Sequence, residues 1–384
     1  MRVLFSSTRG TGHLHPLLPY AQALLAKGHD VRVAGPPDLR APLLAAGLTH
    51  VPFRHPGDEG LAPFWARLRG LAPAEQAAAY VRDVFAGVNA QTAFPDLLET
   101  LRSWQPQLIV RESAEFAAIV AAEVVGVPHV RVAVHHGVME EQFVALATPP
   151  VDTLRTTAGL APDHGAALRA EPVFTAFPEA FEGPTGREFP VHRVGPSAGA
   201  PGADRAAWQS DNDDDRPLVY ITFGTVATTI PEALALYQTA VAAVADLPVR
   251  GLLTTGRGFD ASALGAIPPN LRVESWVPQA EIFPHTAVLV CHGGSGTVLG
   301  GLAAGIPQVV VPIGADQPQN AQSIAAIGAG LALTKPDAAT LRAAIQRVLD
   351  DDDFRRVARS IAVEMAAMPT MDDAVDALIK LARC

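Results

Sequence analysis

The chain has 384 residues, enough for two domains of ordinary size, with 49% hydrophobic and 18% charged residues and a formal net charge of −10. This composition excludes wholesale disorder, and the absence of a Lys/Arg cluster argues against a nucleic-acid partner, whose backbone is bound through clustered cations. The only cysteines, Cys291 and Cys384, suggest neither a disulfide framework nor a thiolate metal site, and they fit a reducing cytoplasm.

The first apolar run soon meets Arg9 and Gly10, so it reads as a buried strand over 3–6 rather than a signal peptide or a bilayer span. A glycine loop, Ser7 to Gly12, then leads into a helical pattern through Leu17, Leu18, Ala21, Leu24 and Leu25, and a second strand covers 31–34. Further strands are expected over 108–110 and 129–134, separated by a helix over 117–125 and broken by Gly126-Val127-Pro128. Strands alternating with helices in this way build a doubly wound parallel sheet, so the fold class is α/β. Residues 135–190 are less periodic. There His135-His136-Gly137, Phe143, Phe174, Phe177 and Phe181 either line a pocket or pack beneath a surface excursion.

Between Gly195 and Pro217 the composition turns to Pro, Gly and an acidic run ending at Asp215, which reads as a linker. A second strand series follows at 218–223, 249–253, 288–291 and 309–312, with a helix over 234–244. The boundaries expected are therefore 1–200 for a first Rossmann-like domain, 201–217 for the linker and 218–355 for a second Rossmann-like domain. A helical segment over 356–384 is expected to cross back to the first domain. Facing α/β domains place the carboxyl ends of their strands at a shared cleft, where ligands of open sheets bind.

The most informative segment is Val288 to Leu299, in which a buried strand ends at Cys291 and His292-Gly293-Gly294-Ser295-Gly296-Thr297 starts a helix. Free N–H groups at such a start, with the hydroxyls of Ser295 and Thr297, suit a diphosphate, and His292 can add a hydrogen bond or a positive charge. The segment lacks the Lys of a Walker loop and the dinucleotide fingerprint. Glycines for tight strand-to-helix packing are the alternative. Trp276 and Val277 precede the site and can face a base, or serve packing alone. Asp316 and Gln317 can hydrogen-bond sugar hydroxyls, or cap a helix. Thr222 and Thr225 around Gly224 either touch phosphate or simply turn the chain.

Trp276-Val277-Pro278-Gln279, His292 to Thr297, Gly305-Ile306-Pro307 and Asp316-Gln317 through Asn320 resemble, in order and spacing, the donor-binding signature of a GT-B glycosyltransferase family. This is the inverting family that includes plant secondary-product and bacterial antibiotic glycosyltransferases. Gly12-His13-Leu14-His15-Pro16 resembles the segment that carries its catalytic histidine, and the likeness spans nearly the whole chain. The resemblance implies that the first domain binds an acceptor and the second a nucleotide-sugar. His292 and the Gly294 to Thr297 turn would hold the diphosphate, Trp276 and Val277 would bracket the base, and Asp316 and Gln317 would hold the sugar.

Plant members carry a ribose-binding Glu where this chain has Gly300. That substitution, with the resemblance, favours a dTDP-deoxysugar over a UDP-sugar and a bacterial natural-product tailoring role; Phe64, Trp65, Phe85 and Phe143 fit a small hydrophobic or aromatic acceptor and are equally ordinary core residues. His13 is the expected general base, supported by Glu112 where the family often places an Asp; Glu115 competes for that role, and either glutamate can instead cap a helix. His13, His15, His135 and His136 lack a recognised ligand spacing, so no metal is expected, nor any permanently bound cofactor. No stable membrane insertion is expected, and a homodimer is left open. The alternatives are a UDP-sugar transferase, a nucleotide-sugar epimerase, which would turn over without an acceptor, lipid-linked sugar transfer, and an inactive partner of another transferase.

Overall fold

Aliphatic runs buried on both faces form the central strands of two parallel sheets. The computed structural model describes residues 1–182, 190–196, 215–224, 233–256 and 258–383. Most of the expected linker, and Thr225, lie outside the described residues. The chain divides into one unit comprising Met1–Ala176, Pro184–Gly195 and Pro369–Cys384, and a second comprising Phe177–Gly183 and Pro196–Met368.

In the first unit, strands β1 (Arg2–Ser6), β2 (Asp30–Gly35), β3 (Thr49–Pro52), β4 (Leu108–Glu112), β5 (His129–Val132), β6 (Val173–Thr175) and β7 (Val191–Arg193) pair in the order β3-β2-β1-β4-β5-β6-β7. Every pairing is parallel. Alternation carries side chains to two cores: Leu4 and Ile109 join the helices Ala90–Trp104 and Ala117–Val125. Val3, Phe5, Leu108 and Val110 meet the helix Leu18–Ala26 on the other face. The terminal helix Met371–Leu381 packs there too, through Ala374, Val375 and Leu378, with Lys27 3.3 Å from Asp372 and 3.2 Å from Asp376.

The second unit repeats this plan with β8 (Leu218–Thr222), β9 (Arg250–Thr254), β10 (Leu271–Glu274), β11 (Thr286–Cys291), β12 (Gln308–Val310) and β13 (Gly330–Ala332), ordered β10-β9-β8-β11-β12-β13. These pairings are parallel as well. Both sheets reverse their strand order once, between β1 and β4 and between β8 and β11. Such reversals open a crevice outside the carboxyl ends of the strands, because the flanking helices run to opposite faces.

One feature differs from the sequence expectation, and a second decides between two readings that the sequence leaves open. The aperiodic stretch contains the 21-residue helix Gly137–Thr157, whose internal Pro149 and Pro150 interrupt the sequence signal. Phe174, Phe177 and Phe181 are fully buried: Phe174 lies in a core of the first unit and the other two lie in a core of the second, so none of them faces a pocket.

The strands β4 and β5 also bury charge. Arg111 and Arg131 are paired in register and fully buried, as is Glu171. Arg111 Nε and Nη2 donate to the Glu171 carboxylate at 2.9 and 2.5 Å, and its Nη1 donates to the carbonyls of Glu112, Ser113 and Glu115, each at 3.2 Å. One guanidinium therefore ties the loop after β4 to the sheet. Replacing it by a neutral chain leaves a buried carboxylate and three carbonyls short of donors, which costs about 3–5 kcal/mol. Arg111→Met is expected to lower the urea midpoint accordingly, and a shift worth under about 1 kcal/mol would contradict this role.

Candidate active site

At the reversal of the first sheet, β1 delivers the loop to Gly10, whose φ of 115° suits glycine, and the short helix Thr11–Leu14 carries His13. The last residue of β4, Glu112, is fully buried. His13 Nδ1 lies 2.9 Å from Glu112 Oε2, which also accepts the Ala114 N–H at 2.7 Å. The other oxygen accepts the Thr8 N–H at 3.0 Å and the Thr8 hydroxyl at 2.8 Å. Burial alone would raise this carboxyl, but His13 and the amide donors outweigh it and hold the group at about 2. Glu112 is therefore an acceptor only, and the hydrogen between it and His13 belongs to Nδ1. Neutral His13 then carries its lone pair on Nε2.

Glu115 takes the other role foreseen for it. Its carboxylate caps the helix Ala117–Val125, accepting from the N–H groups of Ala117 at 2.9 Å and Ala118 at 3.1 Å. Burial pushes it up to about 7. Around His13 stand the rings of Phe85, at a centroid distance of 5.3 Å, and His135, at 6.1 Å. Phe85 sits in a π-helical segment, Tyr80–Asn89, with non-helical geometry at Gly87. Such segments concentrate at functional sites.

The second sheet builds the other cluster. His292 follows β11, and its ring lies between two glycines: a Cβ on Gly224 would stand 2.8 Å from Nε2 and one on Gly294 2.5 Å. Hence a side chain at either place displaces the imidazole. Burial pushes His292 down to about 4, so near neutrality it offers a hydrogen bond and not the positive charge also foreseen for it.

Gly294 is the N-cap of the helix Ser295–Ala303, which has no side-chain cap. The amide of Thr297 already donates to Gly294 O at 3.0 Å, which leaves Ser295 and Gly296 as the open amide donors among the described residues. The Ser295 hydroxyl is committed, donating to Asp316 Oδ2 at 2.5 Å, whereas Thr297 Oγ1 accepts from Gln279 at 3.2 Å and keeps its own proton for a ligand.

Asp316 precedes the helix Gln317–Ala326 without making a side-chain cap. Gln317 Oε1 accepts the N–H groups of Ile313 and Gly314 at 2.8 and 2.9 Å, bracing that loop, so only its amide nitrogen is left for a ligand. Fully buried Asn320, outside the residues assigned from sequence, donates to Gly293 O at 2.8 Å, Ser295 Oγ at 3.1 Å and Asp316 Oδ2 at 3.1 Å, stitching the turn to the helix. Trp276 is half exposed, while the Val277 side chain is buried in the core and has only its backbone to offer. Thr225 lies outside the described residues.

Two doubly wound parallel sheets, each with a polar cluster where its strand order reverses, define the GT-B class of nucleotide-sugar transferases. Models of the erythromycin biosynthesis protein CIII-like family match here, the N-terminal domain over residues 22–159 and the C-terminal domain over 237–381. The tylactone mycaminosyltransferase of Streptomyces fradiae is 30% identical over 99% of this chain and 92% of its own. The elloramycin glycosyltransferase ElmGT of Streptomyces olivaceus is 34% identical over 97% and 95%.

Among solved structures, the glycosyltransferase SnogD from Streptomyces nogalater has a TM-score of 0.80 at 28% identity, covering 100% of this chain and 99% of its own. Glycosyltransferase VinC, solved in complex with DTDP, has a TM-score of 0.80 at 27% identity and full coverage of both chains, 100% each. The chain belongs to the erythromycin biosynthesis protein CIII-like family, and it is a nucleotide-sugar-dependent glycosyltransferase. Among the described residues no helix is long and apolar enough to cross a membrane, and no group of His, Cys, Asp or Glu is arranged to hold a metal.

The raised Glu115 predicts a pH signature. Its folded value of about 7 exceeds the ordinary 4.5, so the unfolded chain ionises first and stability falls as pH climbs between those values. Glu115→Gln removes that fall. The stability of the variant relative to the natural chain is therefore expected to rise from pH 4.5 to 7, and a difference independent of pH would contradict the assignment.

Proposed function

We propose that this enzyme moves a deoxysugar from a dTDP-sugar to a hydroxyl of a small hydrophobic or aromatic natural product, with inversion, and that His13 is its general base. The observation that carries the reading is the pairing of His13 with buried Glu112. In this reaction the acceptor oxygen attacks the anomeric carbon as its proton passes to His13 Nε2. The bond to the diphosphate breaks with its electron pair leaving on the phosphate oxygen. Glu112 fixes the tautomer and stabilises the imidazolium that forms. The Ser295 and Gly296 amides, the Thr297 hydroxyl, neutral His292 and the positive end of the Ser295–Ala303 helix stabilise the departing charge. Trp276 and the Val277 backbone hold the base, and Asp316 and the Gln317 amide hold sugar hydroxyls.

The choice of dTDP draws on VinC, solved with DTDP, and on Gly300. A Cβ there would stand 2.6 Å from Phe283 Cε2, so a glutamate at this place would first have to displace the ring. A donor without the 2′-hydroxyl does not call for one. The ring of Phe85, 5.3 Å from that of His13, is the aromatic neighbour that a flat acceptor entering here would meet. A cytoplasmic location and a homodimer are compatible with this reading.

Two measurements on one pair of proteins test it. His13→Ala is expected to lower transfer by at least ~10² while leaving dTDP affinity, read by calorimetry, unchanged. The natural chain is expected to bind dTDP more tightly than UDP. Near-normal turnover in the variant would remove His13 from its role, and tighter UDP binding would overturn the donor.

A further inference from the structure

In the second unit one buried amide joins the turn after β11 to the loop after β12. Asn320, on the helix Gln317–Ala326, has no exposure to solvent. The two hydrogens of its NH2 group serve three acceptors: the Gly293 carbonyl at 2.8 Å, Ser295 Oγ at 3.1 Å and Asp316 Oδ2 at 3.1 Å. Ser295 gives its own proton to the same Asp316 oxygen at 2.5 Å. Asn320, Ser295 and Asp316 are therefore bonded each to the other two. The backbones also meet closely. Gly293 has a φ of 93°, and a Cβ on it would stand 3.0 Å from the Gln317 carbonyl oxygen and 2.8 Å from Val310 Cγ1. The turn thus lies directly on the start of the helix that carries Asn320.

The Asn320 oxygen, by contrast, meets no donor among the described residues. Leaving a buried amide oxygen unanswered costs stability, a cost that an apolar side chain of the same branched shape does not incur. What this amide contributes to the core is done by its NH2, and all three acceptors lie in the two segments that carry the open Ser295 and Gly296 amides and the Asp316 carboxylate. Amide donors bind an anion well when they are already held in place, because freedom lost on binding subtracts from affinity.

We propose that Asn320 is a positioning residue for the donor: by donating to Gly293, Ser295 and Asp316 together it fixes the turn against the following loop, and so sets the affinity for the diphosphate without touching it. The inference rests on the Gly294 to Thr297 turn being the diphosphate site.

The test compares dTDP, titrated by calorimetry, with thymidine, which lacks the diphosphate and is followed by equilibrium dialysis. Asn320→Leu keeps the branched shape without the donors, and it is expected to weaken dTDP about tenfold and thymidine less than about twofold. Should Asn320→Leu not fold, Asn320→Ser, which keeps one donor in a smaller side chain, is expected to weaken dTDP about threefold and to leave thymidine unchanged. Unchanged dTDP affinity in the folded variant, or equal loss of the two ligands, would make Asn320 a support of the fold alone and overturn its positioning role while the phosphate assignment stands. A natural chain that binds dTDP no more tightly than thymidine overturns the phosphate assignment, and this inference with it.

Discussion

The site in the first unit depends on one buried carboxylate. Glu112 has no exposure to solvent, and an ion in that position survives only if its lone pairs are answered. They are answered by Thr8, Ala114 and His13, drawn from the loop after β1, the loop after β4 and the short helix that begins at Thr11. The same bonds that stabilise the charge therefore fix the relative positions of β1, β4 and His13. Arg111 secures the arrangement from behind by holding the carbonyls of the Glu112 loop. Local stability and the placement of His13 are two consequences of one constraint.

The second unit solves a similar problem without a buried ionised pair around its histidine. His292 is packed between Gly224 and Gly294, and burial keeps it neutral. Asn320 and Asp316 organise the turn through Ser295, which leaves amides open at the helix start. A neutral, pre-organised set of donors suits a diphosphate whose charge grows as the glycosidic bond breaks, because little reorganisation is needed at that moment.

The central strands were readable because parallel strands buried on both faces appear as unbroken aliphatic runs, as in 108–110 and 288–291. The turn after β11 stands out as a candidate phosphate site because its glycines, histidine and hydroxyls are contiguous. What lay hidden depends on distance along the chain or on side-chain competition. Arg111 and Glu171 are 60 residues apart, and nothing local in either segment announces their pairing. An arginine inside an otherwise apolar strand was the available signal, since a buried guanidinium demands a carboxylate. Which of Glu112 and Glu115 meets His13 depended on whether each carboxyl turned to the first strand or to the following helix. The Ser295 hydroxyl read as a phosphate ligand, but Asp316 claims its proton, which only the fold reveals.

Whether buried Glu112 supports His13 is read from the turnover of Glu112→Gln, with donor affinity recorded alongside. The amide is nearly the same size but cannot carry the charge that orients His13 and stabilises its protonated form. A fall in kcat of at least ~10² with donor affinity unchanged is expected. Turnover within about threefold of the natural enzyme would contradict it.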